Sequence, residues 1–587
     1  LAFGHPEQNN CTRREALSKI RSLLRDKRRT VFHNAEFDLE VLARDGIKVR
    51  GEIHDTLKLA FLNDPYSPNL GLKFQAEEFC GVPPEERDLL KAWIIENVPE
   101  ARKRKTKWGE YICRAPGKLV GEYAKGDVRR TEMLLKTLGQ DVFDRGMEEA
   151  YKREMALVPI KMDMEQRGIR VRLRKLKREV KHYDQLHAHL ERSIKRRLRA
   201  KDINLGSSPQ LADALISRGL LNPVVRTKKG NVSTRRDILE LNCSDNKLAK
   251  MLAVYGVLST YRSTFLSRWI EIGEANNCYI QPTFNTTRSS SEFGGRGFGA
   301  RTGRFSSSDP NFQNIPNSVE ESQNAETLML LRKWMRDLTG FTFLGLRDYF
   351  EPDEGHVFIG RDYDQQELRI LAHFAEGEFL AMYQDNPGMD GHELVRQLVY
   401  DTIHTLYPRK HVKITNFGII YGMGVTKLAK RLGIPVEDAR VLRKAILKAV
   451  PGIPKLNNEL RALAHDGEPF YTWGGREYFC EEPRSFETED GGKIMRSYEY
   501  KMMNTEIQGS AADCTKEGMI NVWNNLRHGR IVLQVHDELL GSVPKEHRKS
   551  EMQRMKEAME DVKFKLPMLS DGYEGGTSWA RMRKTVH

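Results

Sequence analysis

Apolar positions along the chain repeat with two different periods. Leu173, Leu176, Val180, Tyr183, Leu186, Leu190, Ile194 and Leu198 recur at spacings of three and four, which predicts one long amphipathic helix. Its other face carries Arg172, Arg174, Lys175, Lys177, Arg178, Lys181, Arg192, Lys195, Arg196 and Arg199. That face is basic enough to lie along a phosphate backbone, although a single helix of this kind is more often just solvated. Two continuous apolar runs predict buried strands instead: Val357-Phe358-Ile359, and Ile531 to Val535. The second leads through His536-Asp537-Glu538 into Leu539-Leu540-Gly541-Ser542-Val543, a hairpin with acids at its tip. Residues 1–145 alternate short apolar runs (Thr30-Val31-Phe32, Ile53) with amphipathic segments, predicting an α/β unit with a mixed sheet. From Val357 onward, strand and helix patterns alternate to the end, with Pro451-Gly452 and Gly474-Gly475 as turn signals. The Ser-, Gly- and Arg-rich stretch 286–310, with Gly294-Gly295-Arg296-Gly297-Phe298-Gly299, reads as a mobile basic loop. It is not a dinucleotide fingerprint, because no strand leads into it.

Composition then narrows the class. A chain of 587 residues exceeds one hydrophobic core, and units of ~150 residues imply about four domains. A net charge of +14 favours a polyanionic partner. No apolar run approaches the ~18 residues of a membrane span, and the first residues lack a signal-peptide pattern, so no membrane association and a cytoplasmic location are expected. Seven scattered cysteines without a Cys-x-x-Cys pair read as reduced thiols. Residue 1 is Leu rather than Met, which points to a processed or truncated form.

The chemistry concentrates at strand ends. Asp362 closes the strand that starts at His356, and Asp537 sits at the hairpin tip. If the strands are neighbours the two carboxylates converge, and their repulsion is relieved when cations lie between them. Such a pair suits phosphoryl transfer with two Mg2+ ions, for which Mn2+ can substitute. Acids at strand ends are commonly only surface turns, so a third element is needed. Arg409, Lys413, Phe417 and Tyr421 are four apart and form one helical stripe, cations first and aromatics after, able to hold a triphosphate and stack a base. Gly418 and Gly422, costly in a helix, argue for close approach of another group.

These three segments, in this order, resemble motifs A, B and C of the A-family DNA polymerases, the bacterial polymerase I and phage type. Thr302-Gly303-Arg304 to Pro316 and Asn504 to Asp513 extend the resemblance, which runs from about Met155 to the C-terminus. It implies a multidomain α/β chain with the right-hand fold of palm, fingers and thumb. The expected divisions are a thumb with a connecting palm segment at 146–275, a first palm part at 276–375, fingers at 376–500 and a second palm part at 501–587. By matching position, Asp362 and Asp537 would bind metal with the Tyr363 backbone carbonyl, and Glu538 would be an auxiliary acid. Arg409, Lys413 and His392 would meet the phosphates of a deoxynucleoside triphosphate, with Lys413 counted among the catalytic groups. Phe417 would stack on the base, Tyr421 would guard the template position, and Gln365 would line the nucleotide site. Glu367 would exclude a sugar 2′-hydroxyl. Arg304, Asn504, Gln508 and His536 would contact primer-template DNA. Phe417 in place of Tyr implies poor acceptance of dideoxynucleotides, which Phe417→Tyr should raise. The resemblance places the activity in DNA replication, of phage type, or in repair, with a processivity factor or other replisome proteins as candidate partners.

Two departures stand out. The stretch between Pro316 and Arg347, with Glu320, Glu321 and Glu326, is longer than the family usually has, and Tyr500 with Lys501 stands where relatives often carry Arg.

Residues 1–145 resemble the ribonuclease H-like 3′-5′ exonuclease domain that precedes these polymerases. Asn34-Ala35-Glu36-Phe37-Asp38 and Tyr123-Ala124-Lys125-Gly126-Asp127 match two of its motifs, which would make Asp38 and Asp127 metal ligands and Tyr123 a holder of the attacking water. The Asp-x-Glu of an earlier first strand is missing between Leu1 and Asp38, so either the native chain is truncated upstream, the preferred explanation, or the domain is now structural, and negligible proofreading is expected under both. The absence of a 5′ nuclease domain ahead of residue 1 suits a phage replicative enzyme or an excised fragment. The competing readings are a single-subunit RNA polymerase, which Glu367 disfavours, and a nucleic-acid-binding scaffold, which would not need the acids. A nuclease alone would leave the C-terminal residues unexplained.

Overall fold

The computed structural model describes residues 1–25, 28–222, 224–227, 230–288, 299–316, 325–487 and 492–585. The strand His356–Tyr363 forms the middle of an antiparallel five-stranded sheet. Spatial order runs Arg530–Val535, Glu538–Pro544, His356–Tyr363, Ser570–Glu574 and Arg583–Lys584. Both apolar runs are interior, with Phe358, Ile359, Leu533 and Leu539 fully buried. The helices Met502–Asn525 and Arg548–Glu560 pack behind this sheet. Contact there is close: a Cβ on Gly518 would lie 2.3 Å from the Tyr363 hydroxyl, which donates to the Met559 carbonyl at 2.6 Å. Any side chain at Gly518 would push the helix off the strand that carries Asp362.

The basic amphipathic helix is Leu173–Leu198, with Leu176, Tyr183, Leu186, Leu190, Ile194 and Leu198 buried. It rests on Asn246–Thr260 and on Ala325–Thr339, a helix that fills the long stretch before Arg347. Glu326 opens this added helix, while Glu320 and Glu321 lie outside the described residues. The phosphate-facing set needs correction. Lys175 is ion-paired with Asp348, and Arg172 reaches Glu351 at 3.2 Å, so both anchor the helix to the sheet domain. Lys177 meets Glu274 in the same way.

The alternation expected after Val357 does not hold. Seven helices run in succession from Gln366 to Asp466, because apolar residues there, such as Leu442, Ala445 and Ile446, repeat with helical spacing. Pro451 caps a helix that begins at Gly452, so this signal marks a helix joint, not a loop. The Gly-rich run 294–298 lies outside the described residues.

The N-terminal unit is more helical than its pattern implied. Among the described residues its sheet is one parallel pair, Thr30–Phe32 with Ile53–Asp55, so the mixed sheet is not found. Runs such as Leu59 to Leu62 and Leu134 to Val142 are buried faces of helices and build the core of this unit. The helix Glu148–Arg167 joins it to the rest through a buried ion cluster. Glu154 accepts from Arg476 and from Lys516 at 2.5 Å, and Arg476 reaches Asp513 at 2.5 Å. Burial alone would raise the Glu154 carboxyl, but Lys516 and Arg476 outweigh it and hold it near about 2. All seven cysteines are free, and no helix among the described residues is long and apolar enough to cross a membrane.

Candidate active site

Register brings the two motif acids together. Glu538 pairs with Asp362 across adjacent strands, and the two-residue turn His536-Asp537 hangs Asp537 beside it. The Tyr363 N–H points to the Asp537 carbonyl at 3.4 Å. Burial, then the charge of Asp537 itself, pushes Asp362 well above the usual carboxylate range, and burial raises Asp537. Asp362 Oδ1 is sealed from solvent and has no hydrogen-bond partner. A sealed, unpartnered carboxylate oxygen beside a second acid is a donor set that fits a hard divalent cation.

Glu538 is differently engaged. Its carboxylate accepts from Arg347 at 3.1 Å and from the Trp579 indole N–H at 3.2 Å, and the guanidinium lies 3.9 Å from the Trp579 ring centre. It therefore stands next to Asp362 in register while facing two donors of its own. Among the described residues no group of three His, Cys, Asp or Glu side chains converges.

The turn is held by a residue to which sequence reasoning gave no role. Gln313 accepts from the His536 backbone N–H at 2.9 Å and donates to the Gln534 carbonyl at 2.9 Å. His536 sits at φ 59°, a left-handed conformation that a non-glycine residue adopts only when such bonds fix it. Gln313 was visible within the Thr302–Pro316 motif, but its contact with Asp537's turn spans more than two hundred residues of chain.

Beside the acids lies the helix Arg409–Ile420, with Tyr421 just beyond its end. Lys413 is exposed and has no carboxylate partner among the described residues. Arg409 is held by Asp390, which also caps the helix carrying His392. Phe417 lies 5.5 Å from the His392 ring and stacks with Tyr421 at 6.1 Å. His392 is buried, shares a hydrogen bond with Asn416 at 3.2 Å, and is pushed down to about 4 by burial and by Lys413, so its imidazole is neutral. The Tyr421 hydroxyl donates to Glu367 at 2.7 Å, and Arg304 is ion-paired with the other oxygen of that carboxylate. Gln365 accepts from the Gly391 N–H at 2.7 Å. Asn504 Oδ1 is buried without a partner. The Tyr363 side chain is buried in the core behind the five-stranded sheet, which leaves its backbone for the site.

The N-terminal acids are arranged otherwise. Asp127 is ion-paired with Lys73, whose ammonium also donates to the Tyr123 hydroxyl at 3.0 Å and lies 4.4 Å from that ring's centre. Asp38 has its carboxyl pushed up to about 6 by burial and by Asp55. Asp55, which sequence reasoning passed over, is fully buried and accepts from the N–H groups of Asn34, Ala35 and Leu57 at 2.8–2.9 Å. With a lysine on Asp127 and Tyr123, these residues do not fit a divalent cation.

Residues 173–581 match the model of DNA polymerase family A, and residues 4–142 match that of a 3′-5′ exonuclease. DNA polymerase I of Chloroflexus aurantiacus is 28% identical over 99% of this chain and 58% of its own length. That of Rhizobium leguminosarum is 28% identical over 99% of the chain and 54% of its own, and that of Bacillus subtilis 29% over 87% and 56%. The chain thus spans little more than half the length of these relatives. The solved polymerase domain of Pol1 from M. smegmatis, a complex with DNA primer-template and dNTP, superposes with a TM-score of 0.73 over 96% of this chain and 88% of that one, at 24% identity. The fold is therefore that of the polymerase right hand, preceded by an exonuclease-like N-terminal domain. Matched by that model over well more than half its length, the chain belongs to DNA polymerase family A.

Proposed function

We propose that this chain is a DNA-directed DNA polymerase that extends a primer 3′-hydroxyl with deoxynucleoside triphosphates, in replication or repair, using two divalent ions. The observation that carries this reading is the Asp362–Asp537 pair, with the sealed, unpartnered oxygen of Asp362, in one chain with the exposed Lys413 and the stacked Phe417 and Tyr421. Asp362 and Asp537 would hold Mg2+, or Mn2+ in its place. When bound, these ions supply the positive charge that activates the attacking hydroxyl and offsets charge on the leaving oxygen.

Each remaining step belongs to residues of the chain. Lys413, free of carboxylates, is ready for a phosphate, and Arg409 exchanges Asp390 for one. Neutral His392 offers a ring N–H beside them and supports the Phe417 ring against which a base stacks. Glu367, fixed from two sides by Arg304 and Tyr421, is a rigid wall against a ribose 2′-hydroxyl. Gln313 keeps Asp537 in place through the backbone of its turn. Proofreading by this chain is negligible, because no Asp-x-Glu stands between Leu1 and Asp38 to complete the acid set, and Lys73 in addition neutralises Asp127 and occupies the Tyr123 hydroxyl.

Primer extension with deoxynucleotides against ribonucleotides tests this reading. Extension should require Mg2+ or Mn2+, prefer deoxynucleotides, and disappear in Asp537→Ala. Equal use of ribonucleotides, or extension by the variant, would refute it.

A further inference from the structure

Between the helix that begins at Gly452 and the helix Met502–Asn525 the chain makes an antiparallel ribbon, Arg484–Glu487 against Lys493–Arg496. Its root is fixed: Glu481 accepts from Arg301 at 3.0 Å and from Lys501 at 2.6 Å, and Tyr498 is buried. Beyond that root the described residues of the ribbon stand in solvent, including Phe486, Ile494 and Met495, which are 45%, 59% and 64% exposed. Two strands without a sheet or helix behind them are marginal, so these apolar side chains serve no core.

The register sorts the ribbon into two unlike faces. Arg484 lies opposite Arg496, and Phe486 opposite Ile494, so one face carries two guanidiniums followed by an aromatic and an aliphatic side chain. The other face has Ser485 opposite Met495. Like charges directly opposite each other destabilise a ribbon. Among the described residues, neither Arg484 nor Arg496 has a carboxylate to relieve that repulsion. An anion between them would.

Position identifies the anion. The Arg496 guanidinium lies 5.9 Å from the Tyr500 ring centre, and Tyr500 closes over Gly422: a Cβ at Gly422 would stand 2.7 Å from the Tyr500 carbonyl. Gly422, at φ +61°, directly follows Tyr421, whose hydroxyl holds Glu367. The face of the ribbon thus continues outward from the residue at the template position.

We infer that the ribbon Arg484–Arg496 binds the unpaired template strand before it enters the active site, with phosphate at the arginine pair and a base stacked on Phe486. This rests on the polymerase reading above. A duplex keeps the faces of its bases stacked inside and has no use for an exposed ring, whereas an unpaired strand offers both charge and a π-face. Strand spacing places Phe486 and Ile494 about 7 Å from the arginine pair, so one nucleotide can meet both.

The test is fluorescence anisotropy of the full chain on two primer-templates with the same duplex, one with a single-nucleotide template overhang and one with an overhang long enough to pass the ribbon. Wild type should bind the long overhang about tenfold more tightly, and this advantage should shrink with added salt. Phe486→Ala, and Arg484→Ser combined with Arg496→Ser, should lose most of that advantage and bind the short overhang as wild type does. Variants that keep the full advantage overturn the inference, as do variants that lose affinity equally for both DNAs. If wild type binds neither DNA, the polymerase reading fails and the inference falls with it.

Discussion

At the strand ends of the five-stranded sheet, Asp362 and Asp537 stand side by side with no lysine between them, while in the N-terminal unit Glu36 meets Lys58 at 2.8 Å and Lys161 at 3.5 Å, and Asp127 meets Lys73. Burial alone would raise the Glu36 carboxyl, yet the two ammonium groups hold it down to about 2, whereas Asp362 stays far above the ordinary range. The difference lies in where the neutralising cation comes from. A carboxylate already matched by the protein's own lysine has little left to offer a metal ion, and one left unmatched is poised for it.

The largest effect should come from removing the unmatched charge. Asp362→Asn keeps the shape and should lower single-turnover primer extension about a thousandfold or more, on the scale of lost transition-state electrostatics; a loss below tenfold would erase the contrast between the two regions. Next is the matched cluster at Glu154. Glu154→Ala would leave Arg476 and Lys516 buried with less countercharge, and denaturant titration should show a loss of about 3–5 kcal/mol. A neutral result would mean that lysine matching contributes nothing to the fold.

Glu506 sharpens the comparison because it has neither a metal-ready neighbour nor a lysine. It is buried, one oxygen lacks a partner, and burial followed by Glu459 pushes it up to about 8. The folded state therefore keeps its proton where the unfolded chain, near 4.5, would release it. Stability from this group is full below about 4.5 and drains as pH rises through about 8. Glu506→Gln should match wild type in Tm near pH ~5 and exceed it by about several degrees near pH ~9; a constant gap would show that the carboxyl is not protonated in the fold. The smallest effect belongs to Lys73→Ala. Its ion pair is partly solvated, so stability should fall by about 1 kcal/mol or less, and no digestion of single-stranded 3′ ends should appear.

Much of this comparison was legible before any coordinates. Asp362 and Asp537 stood at the ends of apolar runs whose pairing is the simplest way to bury them, and Lys413, Phe417 and Tyr421 shared one helical face. The basic helix Leu173–Leu198 was written in the spacing of Leu176, Tyr183, Leu190 and Ile194. What escaped depends on contacts between distant segments, which local periodicity does not encode. Gln313 finds the turn of Asp537, Trp579 finds Glu538, Lys73 finds Asp127, and Arg172 and Lys175 are drawn from a presumed DNA face to Glu351 and Asp348. The ribbon at Arg484 to Arg496 escaped for a different reason: its strands are exposed on both faces and carry no alternating pattern.

One preparation assayed for both primer extension and 3′-end digestion, as wild type, Asp537→Asn and Asp38→Asn, tests the asymmetry most directly. The account predicts metal-dependent extension that vanishes in Asp537→Asn and is unchanged in Asp38→Asn, with no digestion by any of the three. Extension that survives Asp537→Asn, or digestion by wild type that Asp38→Asn removes, would contradict it.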